Sequence, residues 1–281
     1  KKALISLLSD TFTKKVSLIK NPDMIVSAIV KPGTVSLDIA LREIKDGGTI
    51  RILPGIYKGT YSVNRKIRLI GSTGVLLKGT VALISNRSEI RNIVVEEGFL
   101  DIYREVRDIK IYNCEIRQRS IIMRGDNTNV TIENCIMYGL RVGGNRQTII
   151  KNSVILESPG SPNLSSIQGF VSGIISNTII RSNSNYAIMI EEKLDNTLVL
   201  RHCMIFGIKG ICYIRKDKES IQNENDFDRK VGRATKIKLI QPQFIDESNN
   251  IFRLKDFSPG FFEGENGKSI GVQYQYNKAA K

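Results

Sequence analysis

The sequence predicts an all-β solenoid, a parallel β-helix, and two observations carry that prediction. First, a six-residue phrase (apolar, any, Asn, small or apolar, any, apolar) recurs six times between Ile90 and Ile205. The copies centre on Asn92, Asn113, Asn134, Asn152, Asn177 and, in the last copy, His202, at spacings of 21, 21, 18, 25 and 25 residues. A period of roughly 20 to 50 residues marks a stacked-repeat architecture. Second, the apolar residues alternate within each copy, as in Ile111-Tyr112-Asn113-Cys114-Glu115-Ile116. That is strand periodicity, so each copy is read as part of one coil.

The Asn of each phrase has a structural explanation. Coils of a β-solenoid stack at about 4.8 Å, which places equivalent residues over one another. Asn tolerates the left-handed backbone of a sharp bend, and its amide both donates and accepts, so stacked copies can bond along a ladder. His202 ends the ladder and keeps ring nitrogens in the amide position. The residues after it (Ile93, Cys114, Cys135, Ser153, Thr178 and Cys203) should form one inward stack. A second should hold Val95, Ile116, Met137, Ile155, Ile180 and Ile205.

In chain order, residues 1–48 supply an N-terminal cap and the start of the first coil. An amphipathic helix and two short strands, 16–19 and 24–30, are expected there, because an end coil exposes its apolar core unless something covers it. Ser36 caps a helix reaching about Ile44, with Leu37, Ala40, Leu41 and Ile44 on one face. Gly47-Gly48 ends that helix, and 49–53 is a strand running into Pro54-Gly55. The coils occupy 49–216. Residues 157–168, with Ser158-Pro159-Gly160-Ser161-Pro162 at the centre, read as a turn-rich insertion. Residues 217–236 are charged and poor in apolar side chains, which predicts a mobile loop or an excursion from the coils. With the remainder of 217–281 as an irregular C-terminal cap, the 281 residues make one domain.

A resemblance accompanies this pattern. Ile39-Ala40-Leu41, Gly47-Gly48-Thr49-Ile50, Leu53-Pro54-Gly55-Ile56-Tyr57 and Gly59 resemble the opening coil of the pectate lyase-like right-handed parallel β-helix superfamily. Pro242-Gln243-Phe244, Phe252-Arg253-Leu254, Ser258-Pro259-Gly260 and Ser269-Ile270-Gly271-Val272 are similar to the closing segment of bacterial secreted or surface members. The resemblance implies a right-handed coil and an extracellular, cell-surface or virion location. The superfamily holds lyases, hydrolases, esterases, epimerases, phage tailspikes and non-catalytic adhesins. The chain lacks the Arg-x-Pro-x-x-Arg of pectate lyases, the Gly-His-Gly of polygalacturonases and the Gly-x-Val-Asp-Phe-Ile-Phe-Gly of pectin esterases.

The formal charge is +14, with 42 Lys and Arg against 28 Asp and Glu, which favours polyanionic partners. An acidic polysaccharide or cell-surface glycan fits best, with protein partners in a larger assembly as the second class. Nucleic acid is the weakest of these, since no recognition motif accompanies the charge. No run of about 18 apolar residues could span a membrane. The apolar run near Leu4 is cut by Asp10 and is too short for a signal peptide. The four Cys make no disulfide framework. Cys114 and Cys135 fall on adjacent coils, whereas Cys203 lies three coils further, roughly 14 Å away. Buried free thiols serving as small apolar core residues are expected.

Function is sought on the strands about ten residues before each Asn: 100–104, 121–124, 140–142, 188–191 and 212–215. Their outward positions include Asp101, Tyr103, Arg124, Arg141, Glu191, Tyr213 and Arg215. Arg forks a carboxylate and Tyr stacks on a sugar face, so this row is the expected polysaccharide-binding surface. The resemblance implies a cleft over this sheet, walled by the 157–168 insertion. Ca²⁺-assisted elimination needs clustered carboxylates and a base. Asp101 and Glu191 stand several coils apart, so the row supports no Ca²⁺ site and no cofactor is expected. A second outward row follows the ladder, with Glu96, Arg117, Tyr138, Leu156, Arg181 and Phe206. Its apolar members are expected either to form an interaction face or to lie under loops.

Overall fold

The computed structural model describes residues 27–33, 36–125, 129–143, 147–159, 164–169, 172–191 and 198–273. They form a parallel β-solenoid of eight coils. Each coil contributes one strand to each of three sheets, taken in the order A, B, C. Sheet A has ten strands, sheet B eight and sheet C nine. In the fourth coil the strands are Lys110–Tyr112 (A), Glu115–Ile116 (B) and Ile121–Met123 (C). Pairing is parallel and in register from coil to coil, so the side-chain columns anticipated from the repeat exist.

The bend from sheet A to sheet B is the Asn ladder. Asn92, Asn113, Asn134, Asn152, Asn177 and His202 all have φ between 49° and 56°. Asn113 Nδ2 donates to Asn92 Oδ1 at 3.0 Å, Asn134 to Asn113 at 2.8 Å, and Asn177 to Asn152 at 2.7 Å. The stack behind it is fully inside, and it carries a ladder of its own. The Cys114 amide donates to Cys135 Sγ at 3.5 Å, that of Cys135 to Ser153 Oγ at 3.1 Å, and that of Ser153 to Thr178 Oγ1 at 3.4 Å. All four cysteines are buried free thiols. Burial pushes Cys203 and Cys212 up to about 12, so they serve as packing groups and not as nucleophiles. A second left-handed column, absent from the sequence reading, turns sheet C into sheet A. Arg87, Asp108, Asn129 and Gln147 have φ of 56° to 58°, and Asn129 Nδ2 donates to Asp108 Oδ1 at 3.0 Å.

Helix α1 (Leu37–Glu43) closes the N-terminal end. Ser36 Oγ accepts from the Ile39 amide, and Leu37, Ala40 and Leu41 are buried against the first coil. The strand Ser27–Val30 pairs with Thr49–Ile52, whereas the helix and strand expected before it lie outside the described residues. Of the two expectations for 217–236, the structure shows the excursion, in ordered form, and not a mobile loop. It contains the strand Glu219–Ile221, antiparallel to Cys212–Ile214, then α2 (Glu224–Lys230), then Gly232–Thr235, the last strand of sheet A. Phe227 decides this. It is the one large apolar residue of a charged helix, and it is wholly buried over the open end of the core. A single anchor is invisible to an average over composition.

The second outward row is covered in its later coils. Ile136, Val154, Leu156, Ile179 and Met204 on sheet B make a separate core with Phe244, Phe252, Leu254, Ile270 and Val272 of the C-terminal segment. The earlier coils of sheet B bear ion pairs instead: Arg117 Nε to Glu115 at 2.7 Å and Lys78 Nζ to Glu97 at 2.7 Å.

Candidate functional site

All seven residues expected to form the site fall on sheet C or the position just after its strands. The register makes one column of Asp101, Ile122, Arg141, Gln168, Met189 and Tyr213. The next column outward holds Tyr103 beside Arg124 and, further along, Glu191 beside Arg215.

The structure gathers these residues into two clusters. In the first, Arg124 Nε lies 2.8 and 3.0 Å from the two oxygens of Asp101, and its guanidinium sits 5.7 Å from the Tyr103 ring centroid. Asp101 is consequently buried, although its side chain leaves on the outer face. Its expected role as a solvent-facing contact is therefore corrected: Arg124 folds back from the next coil and covers it. In the second cluster, Arg215 Nη1 bonds Glu191 Oε1 at 3.0 Å. Tyr213 stacks on Tyr186 with centroids 5.1 Å apart and planes 22° apart. Five coil spacings, about 24 Å, separate Tyr103 from Tyr213. Arg141 lies between them, half-buried and without an ion pair among the described residues.

Sequence reasoning missed four members of this face. Gln168 sits on the strand Ile167–Gln168, inside the segment read as an insertion. Two residues are too short a run to register as strand periodicity. Ile122 and Met189 lay on strands already recognised but, being apolar, were not counted as outward. Tyr186 precedes its strand and is placed only by the stack on Tyr213. What remains of the 157–168 segment has a definite tie. The Glu157 carboxylate accepts from the amides of Asn183 and Ser184 at 2.8 and 2.9 Å and from Ser182 Oγ at 3.0 Å, joining adjacent coils beside sheet C.

The geometry limits the chemistry these side chains can share. Asp101 and Glu191 stand four coils apart, about 19 Å. Paired carboxylates of a glycoside hydrolase need roughly 5 to 10 Å. Each of the two is also bound by its own Arg. Among the described residues, no group of three or more His, Cys, Asp and Glu could hold a metal ion. No described helix is long and apolar enough to cross a membrane.

Compared with known protein-family models and with curated proteins, the chain has no match. The fold and the side-chain columns therefore carry the functional argument.

The cover over sheet B is held by one strong ion pair. Buried Arg181 reaches Glu247 through two hydrogen bonds, one of them 2.8 Å, and lies 5.1 Å from the Phe244 ring centroid. The bond from Arg181 holds the Glu247 carboxyl below its usual range. A carboxyl lowered in the folded state contributes stability above its unfolded pKa and loses it as pH falls through the folded value. Stability should thus fall on acidification below about pH 4.5. Thermal midpoints measured against pH check this: Glu247→Gln should flatten that part of the curve relative to the parent protein.

Proposed function

We propose that this chain is a non-membrane-spanning recognition β-helix of the pectate lyase-like kind, which lays an extended polysaccharide along the outer face of sheet C. The observation that supports the reading is the face itself. Two Tyr-Arg clusters about 24 Å apart are joined by Arg141, Gln168 and Met189 in one register column. Tyr rings offer flat apolar faces to sugar rings, and Arg141, which has no ion pair among the described residues, offers a fork to a carboxylate. Since Arg124 and Arg215 are already occupied by Asp101 and Glu191, Arg141 is the position at which an acidic sugar is best received. An extracellular, cell-surface or virion setting goes with this reading.

A glycan panel of neutral chains and polyuronates, run at two salt concentrations, tests it. Tyr213→Ala and Arg141→Ala should each weaken binding about tenfold, equivalent to about 1.4 kcal/mol. A Ca²⁺-dependent rise in absorbance on polyuronates would add cleavage to recognition. Absence of any binding by the folded protein would sink the reading and leave a structural or adhesion module. That second reading has its own support in Phe257 and Phe262, which are 98% and 68% exposed and both held at positive φ. Two exposed aromatic rings on strained backbone suit contact with another protein surface.

A further inference from the structure

The outer face of sheet A carries charge that the sheet C site does not use. Arg68, Lys110 and Arg233 lie on one register column, and Arg51, Lys151 and Arg201 on the neighbouring one. All six side chains are exposed, and none has an ion pair among the described residues. Some cations elsewhere in this protein are paired, as at Lys78, Arg117, Arg124, Arg181 and Arg215. On sheet A itself the outward carboxylates are engaged: Glu89 by Arg91, and Glu133 by the Asn152 amide at 3.4 Å. The two columns together hold seven Lys and Arg, counting Arg91, against Glu89 and Glu133, so this face is strongly cationic. Like charges so arranged repel one another, and a polymer of opposite sign relieves that repulsion.

The shape between the cations narrows the ligand. A shallow trough of about 680 Å³ runs over the middle coils, its floor made by Thr131, Ile149, Ile174 and Val199, with Lys110 and Asp108, the latter paired with Arg87 at 3.6 Å, at one end. Lys151 and Arg201 stand on the column beside it. The whole face spans nine strand spacings, about 43 Å, with the two columns about 7 Å apart. A ligand for it is long, narrow and anionic at intervals, with apolar surface between the charges.

We propose that sheet A is a second binding face, specific for a linear acidic polysaccharide running across the coils. Sugar rings rest on the Ile149–Ile174–Val199 floor, and carboxylate or sulfate groups meet the Lys and Arg on either side. Single-stranded nucleic acid fits less well, because its bases need aromatic platforms. Tyr112 is the aromatic residue on these two columns, and Arg91 already covers it at 4.6 Å from the ring centroid. A duplex is read by elements that enter a groove, and this face is flat. The proposal is independent of the sheet C reading.

The test uses heparin as a sulfated probe, a polyuronate as a carboxylate probe, and single-stranded DNA as the competing polymer. Binding is measured at several salt concentrations. The triple variant Lys110→Gln, Lys151→Gln, Arg201→Gln should lose at least tenfold in affinity for one or both glycans. Its salt slope should fall by about one per removed cation that contacts the polymer. The control variant Arg253→Gln, Lys255→Gln, which removes two charges from the C-terminal segment, should bind within twofold of the parent. All five positions are exposed, and circular dichroism confirms that each variant keeps its fold. Equal losses in the two variants, no binding of either glycan, or tighter binding of the DNA at equal salt would overturn the proposal. The double variant Arg141→Ala, Tyr213→Ala reports on sheet C alone, so failure of one face is distinguishable from failure of the other.

Discussion

Phe252→Ala is expected to destabilise the protein by about 3–5 kcal/mol, the range for truncating a fully buried aromatic residue. Phe252 is the centre of the second core. It meets Phe244 edge-on at 5.3 Å and Tyr138 edge-on at 6.1 Å, and the Tyr138 hydroxyl is tied to Asn250 at 3.0 Å. Removing the ring leaves a cavity between the returning segment and the outer face of sheet B. Hydrogen exchange locates the damage. Amides of residues 237–273 should lose protection while those of sheets A and C keep theirs. A loss spread evenly over all three sheets would show that the segment is not a separately docked unit.

Asn177→Ala should cost about 3 kcal/mol, from two separable sources. The first is backbone: Asn177 sits at φ 50°, and a non-Gly, non-Asn residue there costs roughly 1–2 kcal/mol. The second is hydrogen bonding. The buried amide donates to Asn152 Oδ1 at 2.7 Å and to the Ser269 carbonyl at 3.2 Å, and its oxygen accepts from the Glu265 amide at 3.3 Å. Leaving such partners unsatisfied costs about 1–3 kcal/mol. Asn177→Gly restores the backbone freedom but not the bonds, so it should recover about 1 kcal/mol of the Ala loss. Urea midpoints for the two variants decide it, and equal midpoints would rule out the backbone contribution. This residue also joins the two cores, since its ladder partner lies in the solenoid and its other partners in the C-terminal segment.

These two residues illustrate how differently parts of the molecule are written in the chain. Asn177 was legible from the repeat alone, down to its left-handed backbone and its bond to the preceding Asn. Phe252 lay in a segment recognised only by resemblance, and nothing local says which sheet it returns to. The candidate site falls between these cases. Period-two alternation placed Asp101, Arg124, Arg141 and Tyr213 on one face, and the register sets Asp101, Arg141 and Tyr213 in one column. The same alternation could not reveal that Arg124 buries Asp101, nor that Arg215 answers Glu191, because long side chains choose partners across coils after the register is fixed. It also passed over sheet A, where single Arg and Lys residues 42 to 123 positions apart look like ordinary solvated charges until stacking aligns them.

The sequence by itself determined the coil, the bends and the inward stacks. Each of those depends on interactions that repeat at a fixed chain interval, so a one-dimensional pattern records them. Only the tertiary structure decided which outer faces are open. The later coils of sheet B are closed by chain from 40 to more than 100 residues away, α2 is fixed by the single anchor Phe227, and the cations of sheet A become two columns only when coils lie at strand spacing. Those outcomes rest on contacts between distant residues with no common period, and they are the ones that set where a partner can bind.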